Sequence, residues 1–286
     1  MTNTLEIIST IIGFGYTISW SISFFPQIIE NWERKSVVGL SFEFLGYNFT
    51  GHFAYMIFNT LLYWNKHILS IYYDDHPGSP RPVQINDVVF SLLAVSLTLW
   101  QIIQCFIYHR GKQKLSLIAI ILIILQWILI VIMLTLSLTK ILGWMIFLNF
   151  LGGIKIVATI IKYTPQAWMN YKRKSTIGWS IMNVILDFTG GCLSILQMID
   201  SIDKKNWSDF KLGNLPKVGL GVLSIIFDLY FLMQHYIFYR TKITDKKRSF
   251  WERIFCCHKN KEKEERSSLI KSAEDEQKQN EIKMKN

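Results

Sequence analysis

Three carboxylates and two lysines stand where apolar side chains would be expected. Asp187 lies near the middle of an apolar run, and Asn183 lies one helical turn before it. Asp228 is flanked by Ile-Ile-Phe and Leu-Tyr-Phe, and Asp87 follows Asn86 at the start of another run. Lys155 and Lys162 are seven residues apart and share one helix face. An ionised carboxylate at the centre of a bilayer costs about 2.5–3.5 kcal/mol on insertion scales. A proton or a fixed cation removes that cost, so the chemistry expected here is reversible protonation and the holding of a charged solute. Lys155 is the ligand suited to a solute carboxylate. For Asp187 the alternative is a structural pair with Lys155 or Lys162. For Asp87 it is a helix N-cap, because Asn-Asp before an apolar run is also a capping pattern.

Such residues need helices to carry them. Half of the 286 residues are hydrophobic and 18% are charged, and the charges cluster in short loops between apolar runs. A polytopic membrane protein in a lipid bilayer follows. Runs of about 20 apolar residues place seven spans at 5–30, 38–62, 87–108, 115–139, 142–168, 177–200 and 217–239. The net charge of +10 belongs to loops flanking these spans and gives no reason to expect nucleic acid. The loops after spans one, three and five carry Arg34-Lys35, Arg110-Lys112-Lys114 and Lys172-Arg173-Lys174. That bias puts the N-terminus in the lumen and the C-terminus in the cytosol.

The chain also repeats itself. FFPQIIENWERKSVVGLSFEFLGYNFTG at 24–51 aligns without a gap with YTPQAWMNYKRKSTIGWSIMNVILDFTG at 163–190. Pro26-Gln27 matches Pro165-Gln166, Arg-Lys-Ser matches Arg-Lys-Ser, and Asn48 in the first copy is Asp187 in the second. Internal repeats mark transporter architectures. The expected fold is all-α, with seven transmembrane helices as two parallel triple-helix bundles joined by a linker helix. The first bundle takes 1–110, the linker 111–140, the second bundle 141–243, and a largely disordered cytosolic tail 244–286. Pro26 and Pro165 each free a backbone carbonyl inside a helix, which suits a hinge, a packing kink or both. His52 and His235 read as satisfied core histidines.

The doubled Pro-Gln segment resembles the PQ-loop family. The likeness extends through NDVVFSLLAV and GLGVLSIIFDLYF, over roughly 12–240, and is greatest to the lysosomal cystine exporters of that family. The resemblance implies proton-coupled export of L-cystine from the lysosome or vacuole to the cytosol. It places substrate contacts on Phe24, Gln27, Asn48, Lys155, Tyr163, Gln166, Asn183 and Asp187. It places proton coupling on Asp187, Asp87 and Asp228, and the family has aspartate where this chain has Glu43, a weaker candidate. Two other readings remain open at this stage: an exporter of another amino acid, and a non-transporting receptor or nutrient sensor of the same fold.

No phosphate loop, zinc-ligand spacing or nucleophile elbow is visible, so neither an enzyme nor a cofactor or metal is expected. In the tail, Glu265, Leu269 and Ile270 fit an acidic dileucine sorting signal, which would recruit sorting adaptors. Asn206 is a glycosylation acceptor, and Cys256-Cys257 could be acylated.

Overall fold

The computed structural model describes residues 2–75, 77, 82–83, 85–202 and 215–239. The helices are α1 (Thr2–Arg34), α2 (Phe42–Trp64), α3 (Lys66–Asp75), α4 (Ile85–Ile107), α5 (Leu117–Leu138), α6 (Trp144–Arg173), α7 (Ile181–Ile202) and α8 (Leu215–Met233). A π-helical turn, Gln234–Phe238, closes α8. Among the described residues there is no strand, only an isolated bridge between Ser36 and His109.

Each of the seven expected spans is a helix whose ends move by a few residues. Among the described residues, four helices are long and apolar enough to cross a membrane: Ile85–Ile107, Leu117–Leu138, Trp144–Arg173 and Gly221–Phe238. α2 carries a more polar face. In α2, Asn48, Thr50, His52 and Asn59 are all buried. The short helix α3 was not expected. Asn65 Oδ1 accepts the His67 and Ile68 N–H groups and starts it, and Ile68 is fully buried, with Tyr72 packed on the same core.

Packing crosses between the two copies of the repeat. α1 lies mainly along α7, and α2 along α6, while α4 packs on both α1 and α2, and α8 on both α6 and α7. The glycines of the two Phe-Thr-Gly segments allow the crossings. A Cβ on Gly51 would meet Ala158 of α6 at 2.8 Å, and one on Gly190 would meet Trp20 of α1 at 2.5 Å. α5 sits against α2 and α6 and is otherwise widely exposed, as its unbroken apolar sequence requires in lipid. Both prolines lie within assigned helix, so α1 and α6 resume on the far side of Pro26 and Pro165.

Candidate functional site

The polar residues of α2 form one stripe at i, i+4, i+7 and i+11: Asn48, His52, Tyr55 and Asn59. The stripe meets α6. Lys162 Nζ donates to Asn48 Oδ1 at 3.2 Å, and Lys155 Nζ lies 3.3 Å from His52 Nδ1 and 5.8 Å from the Tyr55 ring centre. Phe24 of α1 and Phe90 of α4 close over the His52 ring, at 5.5 and 6.4 Å between centroids. Two lysines inside an apolar helix are thus held by neutral partners from the other copy of the repeat, leaving ammonium hydrogens for an anionic group.

On the other side of α6 the carboxylates gather. Tyr163 donates to Asp187 Oδ2 at 2.8 Å, Ser224 lies 3.2 Å from the same oxygen, and the two hydroxyls are 2.9 Å apart. Asp228, one turn after Ser224 on α8, is 1% exposed, and its Oδ2 has no partner among the described residues. Hydrogen bookkeeping is informative here. Two hydroxyls hold two hydrogens, yet Tyr163, Ser224 and Asp187 make three contacts. With both carboxyls ionised, one contact lacks a hydrogen and two like charges lie in one cluster. A proton on Asp187 supplies the third hydrogen and removes the repulsion. Lys162 interacts electrostatically with both carboxylates and Lys155 with Asp187, so cations and acids form one group.

The structure therefore brings Phe24, Asn48, Lys155, Tyr163, Asp187 and Asp228 into one region at the interface of the repeats. Asn183 is half-buried one turn from Asp187. Asp87 stands apart at the head of α4, where its backbone carbonyl accepts from Asn59 and its charge acts on Tyr55. Glu43 accepts the Ser116 N–H at the start of α5. His235 is satisfied by Thr176 at 2.7 Å. Ser224 and His52 emerge as site members. Ser224 precedes Asp228 by one turn, a spacing visible in sequence; the Lys155 contact of His52 spans 103 residues and was not. The sorting residues Glu265, Leu269 and Ile270, together with Asn206 and Cys256-Cys257, lie outside the described residues.

Gln27 and Gln166 hold the loops instead of facing this region. Gln27 Nε2 donates to Gly178 O at 3.0 Å and its Oε1 accepts from Ser180 N at 2.8 Å. Gln166 Nε2 donates to Gly39 O at 2.9 Å and its Oε1 accepts from Ser41 N at 2.7 Å. Each glutamine thus grips the loop of the other repeat, at positions related by the 139-residue offset. Behind them Asn31 bonds Gln104, and Asn170 bonds Gln234, in the same pattern. The loops touch at Gly39 and Gly178, whose φ values of 110° and 95° require glycine. A Cβ on either would collide with the carbonyl of Ile177 or Val38. These crossed loops close this end of the interface.

Doubled helix–loop–helix units, crossed packing and an ionisable cluster between them define a repeat-built membrane protein of the transporter kind. The PQ loop repeat family model matches residues 8–68 and 147–201. A cystinosin homolog of Dictyostelium discoideum is 47% identical over 83% of this chain and 84% of its own length. Cystinosin of Bos taurus is 46% identical over 84% of this chain and 65% of its own. The cystine transporter of Saccharomyces cerevisiae is 28% identical over 80% of this chain and 93% of its own. The chain belongs to the cystinosin family of PQ-loop proteins, and is a multi-pass membrane protein.

Proposed function

We propose that this protein is a proton-coupled exporter of L-cystine, moving it from the lumen of a lysosome or vacuole to the cytosol. Seven helices would cross the membrane: α1, α2 and α4 as one bundle, α5 as linker, and α6, α7 and α8 as the second. The lysine-rich loops would face the cytosol, with the N-terminus in the lumen. The observation that carries the reading is the meeting of Lys155 and Lys162 with Asp187 and Asp228 between the two repeats. Cystine is a double zwitterion, so each half needs a cation for its carboxylate and an acceptor for its ammonium. This interface offers both. The lysines, with Asn48 beside Lys162, would take carboxylates. Asp187, with Asn183 nearby, would take an ammonium. The proton is assigned to Asp187 and Asp228, beside the hydrogen-short hydroxyls of Tyr163 and Ser224, and Asp87 to its entry. Gln27, Gln166 and the adjoining prolines would act at the gate, releasing the crossed loops when the cytosolic end opens. Names of the relatives support the substrate.

Uptake of radiolabelled cystine into proteoliposomes, with and without an imposed pH gradient, tests the reading. Cystine accumulation driven by the gradient is expected. Transport of a different amino acid in place of cystine would overturn the substrate, and cystine flux indifferent to the gradient would overturn the coupling.

A further inference from the structure

The repeat builds a second feature twice, away from the ionisable cluster. Lys35 and Lys174 follow α1 and α6 with left-handed backbones, at φ 47° and 49°. This position after a helix favours glycine, and a side chain there costs about 1–2 kcal/mol, so a lysine in both copies asks for a reason. Both ammonium groups lie over two rings: Lys35 Nζ is 4.6 Å from the Trp32 centroid and 5.3 Å from that of Tyr108. Lys174 Nζ is 3.6 Å from Tyr171 and 5.9 Å from Tyr239. In each copy one ring comes from the lysine's own helix and the other from the end of the third helix of its repeat. Lys140, the remaining non-glycine residue with positive φ among those described, has no such pair of rings among the described residues.

A ring face attracts an ammonium group but accepts few of its hydrogens. Neither lysine donates to a carboxylate or carbonyl among the described residues, and both are exposed. The donors are therefore directed outward at the rim. Trp32 and Tyr171 are themselves 57% and 45% exposed, as aromatics at a headgroup layer are. Other basic residues surround them: Arg34, Arg110, Lys112, Lys114, Lys172 and Arg173, against Glu30, Glu33 and Glu43.

We propose that Lys35 and Lys174, each on its pair of rings, form two equivalent sites for the phosphate of an anionic phospholipid headgroup. This rests on the reading above that the lysine-rich loops face the cytosolic leaflet. Bound lipid would fix the αL turn that starts each crossed loop, so the sites would steady the closed end.

The test is native mass spectrometry of the whole protein released from nanodiscs of phosphatidylcholine containing some phosphatidylserine. Two retained phosphatidylserines per chain are expected. Lys35→Gly and Lys174→Gly keep the left-handed turn without strain and should each weaken one site about fivefold, as for a single lysine at an anionic surface. The double variant should weaken both sites about fivefold. Retention of both lipids by the double variant at the level of the unaltered protein, or no preference over phosphatidylcholine in the unaltered protein, overturns the proposal. Equal occupancy by glycerophosphoserine, which lacks acyl chains, would overturn the assignment to lipid. Lipid retention is read without transport, so failure of cystine flux and failure of these sites are separate results.

Discussion

Replacing Gln27 with leucine keeps its volume and removes its grip on the opposite loop. In the present conformation the side chain satisfies Gly178 O and Ser180 N, at 3.0 and 2.8 Å, in a position 1% exposed. Each buried backbone group left without a partner costs about 1–3 kcal/mol, so the closed end loses about 2–6 kcal/mol. When the loops part, water satisfies the same groups and nothing is lost. The equilibrium should therefore shift toward opening by a factor of about 30 or more, since 1.4 kcal/mol is tenfold. A cysteine at Leu40, fully buried in the closed loop, reports this in a background without the native cysteines. Its labelling by a membrane-impermeant maleimide should accelerate by at least that factor. Gln166→Leu should match it through Gly39 and Ser41, and the double variant should add little, because one pair of loops is already free. A labelling rate within about threefold of the unaltered protein would refute the gate.

Asp187→Asn should leave the fold intact and abolish net cystine flux driven by a pH gradient; normal proton-linked currents in that variant would remove Asp187 from the coupling. Tyr163→Phe takes one hydrogen from a cluster already short of them, and should raise the half-saturating cystine concentration about tenfold, the equivalent of one hydrogen bond to a charged group, with helicity by circular dichroism unchanged. Gly178→Ala sets a methyl against Val38 O and Arg34 at a left-handed position. It should lower the melting temperature by the equivalent of about 2 kcal/mol or more, measured by thermal unfolding in detergent. Leu269→Ala with Ile270→Ala should move a tagged protein from the organelle to the plasma membrane, and unchanged staining would place the sorting signal elsewhere.

Much was legible in the sequence because the information is local or repeated. Apolar length marks a helix wherever it occurs, and the gapless alignment of 24–51 with 163–190 announced two equivalent units. The exchange of Asn48 for Asp187 singled out the charged end of the site for the same reason: two copies of one scaffold expose a difference. The missed helix α3 was local too, with an asparagine cap and apolar positions four apart in a segment read as loop. Tertiary structure alone decided the partners. Gln27 was read as a solute contact, yet its partners lie 151 and 153 residues away on the opposite loop. His52 looked like an ordinary core histidine until α6 brought Lys155 to its ring. No pattern in the chain says that α1 lies along α7 and α2 along α6. That crossing depends on close approach at Gly51 and Gly190 and on two loops meeting at Gly39 and Gly178. Hydrogen bonds and charge pairs act over a few ångströms in space, whatever the separation along the chain, so the sequence supplied the functional groups and the packing of the two repeats decided which of them met.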